Sequence, residues 1–174
     1  MLNEIQQILA RLQNVPHHFR KENIWLGGTI DEEHQWECPA NWSLNRVPTE
    51  EDSVFILGAS QLSKFAPLIN SSVPKIFHLL LINHSELRIS PAGKLKIHGN
   101  AIDDNAIYIN NSRLINEGMI RVEHPGQKGI EIINGFFSNQ GLLQSHLSEG
   151  DLILANNQSI YYNEGQVEIL EQDL

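Results

Sequence analysis

The chain has 174 residues, a formal charge of −9 and 41% hydrophobic residues, which is enough for one domain with a buried core. Its acidity makes nucleic acid or an anionic membrane surface a poor partner, and its single cysteine, Cys38, excludes an intramolecular disulfide. We find no apolar run long enough to cross a membrane and no secretion-signal pattern at the N-terminus, so we expect no membrane insertion.

Residues 1–22 are predicted to form an amphipathic capping helix followed by a short linker. Five apolar residues repeat at helical spacing before Pro16 ends the pattern: Leu2, Ile5, Ile8, Leu9 and Leu12. We interpret this helix as a cap over one open end of a stack of coils, because a solenoid needs a polar terminus to stay soluble. A cytosolic protein that binds a partner through this helix is the alternative. The adjacent His17 and His18 in the linker are not expected to bind a metal, since neighbouring side chains rarely converge on one ion.

All three tryptophans fall within residues 24–56, namely Trp25, Trp36 and Trp42. We expect them to fill the interior of a first, irregular coil, and stacking of exposed rings on sugars is the alternative. Cys38 lies in the same window. Because the sequence places no defined base beside it, we interpret Cys38 as a buried thiol rather than a nucleophile.

The second half of the chain repeats an Asn-x-Gly triplet at intervals of 23 and 24 residues. The triplets begin at Asn116, Asn139 and Asn163 and end at Gly118, Gly141 and Gly165, and Gly93 belongs to a degenerate earlier copy. Apolar residues four before and two after each glycine alternate at strand spacing and form the predicted core: Leu114, Ile120, Phe137, Leu143, Tyr161 and Val167.

A repeat of this length with strand periodicity predicts a parallel β-helix, an all-β solenoid, over residues 23–174. The general preference of parallel crossovers makes it right-handed. We expect each triplet to form a turn in which glycine adopts a positive φ and in which asparagines hydrogen-bond from coil to coil. A ligand-binding row of asparagines is the functional alternative to this structural role.

A series of short motifs precedes the repeats, and the segment containing them resembles a known family. The motifs are Trp25-Leu26-Gly27, Trp36, Asn41-Trp42, Val47-Pro48 and Asp52-Ser53-Val54-Phe55-Ile56. Together with the coils that follow, they resemble right-handed parallel β-helix domains of large secreted and surface proteins of Bacteroidetes-type bacteria, many of them adhesin-like. The resemblance covers about residues 24–170. It implies an extracellular or cell-surface location and a non-enzymatic structural or binding module with a flat outer face for a protein or glycan partner.

The sequence contains no nucleotide, zinc or hydrolase signature, so we expect no catalytic residue and no cofactor. The weak metal candidates are His98, Glu123 and His146, which lie five residues after successive glycines and should form an outward column. Solvated side chains are the plainer interpretation of this column. The acidic doublet Asp103-Asp104 supports an alternative function, a carbohydrate-active β-helix enzyme that acts as a polysaccharide lyase or hydrolase, although its turn-like surroundings favour a loop.

The last predicted coil ends at Leu170, and the few residues after it are too short to cover its interior side chains. An uncovered coil leaves unpaired backbone groups and apolar surface. We therefore expect self-association through the C-terminal rung, and the alternative is that this rung marks where the chain was cut from a longer protein.

Overall fold

The computed structural model describes residues 21–58, 64–99, 105–124, 129–147 and 149–171. They form an all-β parallel solenoid of about four turns, each of which contributes one strand to each of three sheets, and the irregular coils before them add three further strands to two of the sheets. This confirms the all-β, parallel-coil part of the predicted fold. The predicted capping helix, and with it His17 and His18, lies outside the described residues.

The strands are numbered in chain order and pair only with their counterparts in the neighbouring turns. The six-stranded sheet contains β1 (Lys21–Ile24), β2 (Asp52–Leu57), β4 (His78–Ile82), β7 (Ile107–Asn110), β10 (Ile130–Ile133) and β13 (Ile153–Asn156). The five-stranded sheet contains β3 (Leu68–Ile69), β5 (Glu86–Ile89), β8 (Arg113–Asn116), β11 (Phe136–Asn139) and β14 (Ile160–Asn163). The four-stranded sheet contains β6 (Lys94–Gly99), β9 (Met119–His124), β12 (Leu142–Ser145) and β15 (Gln166–Ile169).

Helical structure in the described residues is limited to two short segments. A 3-10 turn spans Pro39–Asn41, and the α-helix α1 spans Glu149–Leu152. No helix in these parts of the chain is long and apolar enough to cross a membrane.

The interior consists of apolar columns that run from turn to turn, because side chains alternate between the two faces of each strand. Leu114 pairs with Phe137, which pairs with Tyr161 in the next turn. Leu114 and Phe137 are fully buried, and Tyr161 is half-buried because it belongs to the last turn. Ile120, Leu143 and Val167 form an equivalent column in the four-stranded sheet.

The three tryptophans close the N-terminal end of this core. Trp25, Trp36 and Trp42 are each at most 1% exposed, and Trp42 makes edge-to-face contacts with the other two rings at centroid distances of 5.0 and 4.6 Å. Their packing role is confirmed, and their burial leaves no face for a sugar. Cys38 is buried in the same coil, as predicted.

The neighbouring Asn41 organises the irregular loop before it. Its side-chain nitrogen donates to the carbonyl oxygens of Glu32 and Gln35 at 2.6 and 3.1 Å, and its oxygen accepts hydrogen bonds from the backbone and hydroxyl of Thr29. A buried amide with all these bonds satisfied fixes the loop in one conformation. The Asn41-Trp42 pair therefore joins a loop anchor to a core residue.

A second apolar cluster lies on the outer side of the six-stranded sheet. It contains alternate residues of the first strands, whose neighbours point into the solenoid: Ile24, Phe55, Leu57, Leu80, Ile82 and Tyr108. These side chains are at most 4% exposed, so burial is not confined to the interior of the coils. Strands β2 and β4 are consequently apolar on both faces.

Candidate functional site

The Asn-x-Gly triplets stack along the corner between the five-stranded and four-stranded sheets. The side-chain nitrogen of Asn116 donates to the side-chain oxygen of Asn139 at 2.7 Å, and Asn139 donates in the same way to Asn163 at 2.9 Å. Each donor also bonds the backbone of the following turn, Asn116 to Leu142 O and Asn139 to Gln166 O. Asn116 and Asn139 are fully buried, so their amides hold successive turns together and are not available to a ligand.

The expected positive φ at the triplet glycines is wrong. Among the described residues the glycines with positive φ are Gly27, Gly28 and Gly99, none of which belongs to a triplet. The glycines of the triplets are required for space instead. A Cβ on Gly118, Gly141 or Gly165 would lie only 2.1–2.2 Å from the carbonyl oxygen of the equivalent glycine one turn earlier. Neighbouring turns approach too closely at this corner to admit any side chain.

The left-handed backbone lies at another corner, which sequence reasoning missed. Asn83, Asn111, Asn134 and Asn157 follow the strands of the six-stranded sheet and have φ values of 61°, 47°, 49° and 59°. Asparagine tolerates this region better than most residues, because its short polar side chain can hydrogen-bond locally. The sequence contained a signal for it, since the last three of these asparagines recur every 23 residues.

The proposed metal column is only partly assembled. His98 Nδ1 lies 3.8 Å from Glu123 Oε2, whereas His146 Nδ1 is 3.0 Å from the carbonyl oxygen of Leu170 in the following turn. Within the described ranges, no group of three His, Cys, Asp or Glu residues is placed to hold a metal ion. His98 and Glu123 are therefore brought together, and His146 is not part of a common site with them.

A lysine that the sequence did not single out completes the cluster around Glu123. Lys75 Nζ lies 3.0 Å from Glu123 Oε2 and 3.3 Å from Glu50 Oε2. Burial alone would raise the pKa of Glu123, but the hydrogen bond and charge of Lys75, with smaller contributions from Arg121 and His98, lower it below the ordinary value. The hydrogen bond to Glu123 correspondingly raises the pKa of Lys75. Both groups are charged at neutral pH and form an ion pair between turns.

The rings beside this ion pair are packed against one another. His98 stacks on Phe77 at a centroid distance of 5.7 Å and meets His124 edge-on at 4.7 Å. These contacts join His98 to turns on both sides. The arrangement stabilises the corner, and it places a lysine, not an open coordination position, next to the carboxylate.

A second ion pair, between Arg46 and Asp52, explains the Val-Pro and Asp-x-Val motifs. Arg46 donates two hydrogen bonds to the fully buried Asp52 carboxylate at 2.5 and 2.6 Å, and Asp52 also accepts one from the backbone N–H of Thr49 at 2.8 Å. The hydrogen bond with Asp52 raises the pKa of Arg46 further. This paired geometry fixes the loop that leads into β2, so these residues have a structural role.

The acidic doublet Asp103-Asp104 lies outside the described residues.

Comparison with known proteins gives one weak relationship. Neither a protein-family model nor a solved structure matches the chain. Over 154 residues the chain is 26% identical to the minor fimbrium subunit Mfa5 of Porphyromonas gingivalis. The alignment covers 82% of this chain but only 10% of that protein's length. The chain is thus an all-β solenoid with distant similarity to part of a fimbrial subunit.

Proposed function

We propose that this chain is a non-enzymatic, adhesin-like binding module of a secreted or cell-surface protein. The observation that carries the proposal is the similarity to a fimbrial subunit over 82% of the chain. A fimbrium lies outside the cell, which supports the surface location. A parallel solenoid suits this role because hydrogen bonds between turns hold its outer side chains at fixed spacing.

The outer face of the four-stranded sheet has the mixed character of a binding surface. One of its columns contains Lys96, Arg121, Gln144 and Glu168, which are in register in successive turns. Gln144 donates a hydrogen bond to Glu168 at 2.8 Å. A flat column with both signs of charge is suited to contact with a partner, whereas a polysaccharide-cleaving site needs several carboxylates with a cation in a cleft.

The direct test is binding of the fluorescently labelled chain to intact cells. We expect saturable binding that unlabelled chain displaces. Binding that stays proportional to concentration and resists displacement would contradict an adhesin-like role.

The enzyme alternative is tested separately, by incubation with a panel of acidic and neutral polysaccharides. We expect no products. Reproducible cleavage that is lost in the Glu123→Gln variant would show that the chain is an enzyme and would contradict the proposed binding function. Glu123 is chosen because, with Lys75, it forms the described carboxylate and cation pair that most resembles such a site.

Self-association through the C-terminal rung is part of the proposal. Strands β13, β14 and β15 are the end strands of all three sheets, and Ile160, Tyr162 and Ile169 in this rung are 56%, 45% and 62% exposed. Unpaired strand edges with apolar side chains favour pairing with a second copy of the chain.

Sedimentation velocity can test the association, with a matched control from the opposite end. Ile169→Glu should shift the protein towards the monomer, whereas Ile30→Glu, at an 83% exposed position in the first coil, should leave association unchanged. A wild-type protein that stays strictly monomeric at high concentration would refute this part of the proposal.

We also propose that the amphipathic segment predicted within residues 1–22 provides apolar cover for the solenoid, whose first described strand begins at Lys21. The tryptophans already fill the N-terminal end of the core, and a second apolar cluster lies outside the six-stranded sheet. Removal of residues 1–20 should therefore increase binding of an apolar dye and lower the thermal stability. Unchanged dye binding and melting temperature would show that the segment covers nothing.

A further inference from the structure

An open groove runs along the left-handed corner, between the six-stranded and five-stranded sheets. Its volume is about 520 Å³, within the usual range of small-ligand sites. The lining residues occupy equivalent positions in four successive turns: His84, Ser85, Glu86, Asn111, Ser112, Arg113, Asn134, Gly135, Phe136, Gln158 and Ile160. A smaller recess of about 140 Å³ shares His84, Ser85 and Glu86 and extends the groove towards Phe65. The groove therefore follows the stacking direction of the solenoid.

The groove is deep along its centre because the residues that form its floor have small side chains or none. Ser85, Ser112 and Gly135 are buried, and Ser85 donates its hydroxyl to that of Ser112 at 3.2 Å. A Cβ at Gly135 would lie 2.9 Å from a methyl group of Ile109, so the backbone at this point sits directly on the core. Larger side chains stand on either side of this line and form the walls.

One wall of the groove is polar. It contains the exposed His84, Asn111, Asn134 and Gln158. An amide side chain offers both a hydrogen-bond donor and an acceptor, which is the combination that a sugar hydroxyl also offers. Three amides at successive turns repeat this combination about every 4.8 Å, the spacing of neighbouring strands.

The other wall carries balanced charge and apolar surface. Arg113 Nη1 lies 3.7 Å from Glu86 Oε2, and the Arg113 guanidinium lies 5.4 Å from the centre of the Phe136 ring. Phe136 is in register with Ile160 in the next turn. Because the lining side chains Glu86 and Arg113 carry one charge of each sign, this wall does not favour a strongly charged ligand.

The backbone at this corner is already hydrogen-bonded, which argues against a peptide that adds as a strand. The N–H groups of Arg113, Phe136 and Ile160 each donate to a carbonyl oxygen one turn earlier, at 2.9 Å. Strand addition needs free backbone groups along an edge. The ligand must therefore be recognised by side chains.

From these features we infer that the corner groove binds a neutral oligosaccharide lying parallel to the stacking direction. A chain of about three or four sugars spans the four turns at the strand spacing of about 4.8 Å. Its hydroxyl groups meet the amide wall, and the C–H faces of its rings meet Phe136 and Ile160. This inference rests on the proposed binding function and names the ligand class of one site.

The experiment uses the full chain and an array of immobilised probes. The probes are neutral tetrasaccharides (cellotetraose, maltotetraose, chitotetraose and mannotetraose), sialylated and sulfated oligosaccharides, and extended peptides. The affinity of the chain for each bound probe is then measured for the wild type and for a double variant, Asn134→Gly with Gln158→Ala. Glycine accepts the positive φ of Asn134, and Gln158 is exposed, so the double variant should keep the fold. The matched control is Gln140→Ala, which removes an exposed amide from the other corner.

We expect at least one neutral tetrasaccharide to bind, with affinity reduced about tenfold or more in the double variant and unchanged in the control, since two hydrogen bonds are lost. Binding of only charged probes or peptides, no binding of any probe, or equal affinity in the double variant would overturn the inference. If the array shows one of these contrary results while the wild type still binds cells saturably, the groove inference fails and the adhesin-like role stands. If the wild type does not bind cells saturably, the proposed function itself fails.

Discussion

Substitution of Gly141 distinguishes the two explanations for the triplet glycines. If glycine is required for space, Gly141→Ala must push two turns apart, because the new Cβ would lie 2.1 Å from the carbonyl oxygen of Gly118. The same oxygen accepts a hydrogen bond from the N–H of Leu142 at 2.7 Å, and the N–H of Gly141 donates to Asn116 O at 3.0 Å. Separation of the turns weakens both bonds.

The expected loss follows from these two hydrogen bonds. A buried donor or acceptor left without its partner costs roughly 1–3 kcal/mol, so Gly141→Ala should lower the free energy of unfolding by about 2 to 6 kcal/mol. At roughly 2–4 °C per kcal/mol for a domain of this size, the melting temperature should fall by at least about 4 °C. Urea unfolding followed by circular dichroism measures the free energy, and thermal scans measure the melting temperature.

A second substitution at the same position makes the test specific. Asparagine should be worse than alanine at Gly141, since the clash grows with the side chain, whereas a requirement for positive φ would make asparagine the better replacement. Gly28 is the matched control, because its φ is +82° and a Cβ there meets only the Phe65 ring at 3.4 Å. At Gly28 asparagine should be tolerated better than alanine. A loss below about 0.5 kcal/mol for Gly141→Ala, or better tolerance of asparagine there, would refute the steric explanation.

Three further predictions concern the core and the two ion pairs. Phe137→Ala should lower the free energy of unfolding by about 3 to 5 kcal/mol, because Phe137 is fully buried in an interior column; an unchanged urea midpoint would remove it from the core. Arg46→Lys should lower the free energy of unfolding, measured in urea, nearly as much as Arg46→Ala, since a lysine cannot make the two parallel hydrogen bonds to Asp52. An Arg46→Lys variant as stable as the wild type would contradict this. Lys75→Met should lower the free energy of unfolding at pH 7, and the difference from the wild type should shrink as the pH falls below about 4.5. The reason is that the pKa of Glu123 is lower in the folded protein than in the unfolded chain, so its carboxylate stabilises the fold at a pH above the unfolded pKa and loses this effect when it is protonated. A difference that stays constant between pH 3 and pH 7 on the same urea titrations would argue against the Glu123 pairing.

The architecture could be predicted from the sequence because its signals are local and repeated. Strand alternation and a period of 23 to 25 residues are sufficient for a parallel solenoid, and the columns through Leu114, Phe137 and Tyr161 follow from the register of that repeat. The clustering of three tryptophans before the first regular coil likewise predicted a packed end. The hand of the coils stays a prediction.

The candidate site depended on distances between turns, which no single repeat contains. Lys75 and Glu123 are 48 residues apart in the chain, and their ion pair exists only because two turns bring them to one corner. His146 was expected in the same column, but its imidazole bonds the following turn instead. The corner groove was likewise invisible in the sequence, since its small floor residues stand out only beside larger residues of other turns.

The sequence by itself determined the repeat, the strand periodicity and the inward columns, because each follows from the order of polar and apolar residues along one coil. Only the tertiary structure decided why the triplets contain glycine and where the backbone is left-handed. Gly141 is excluded from bearing a side chain by a carbonyl oxygen of another turn, and Asn134 takes the positive φ that the glycine was expected to adopt. Steric contact between turns depends on how closely the stacked backbones approach, and that separation is set by hydrogen bonding between coils and not by residues within any one of them.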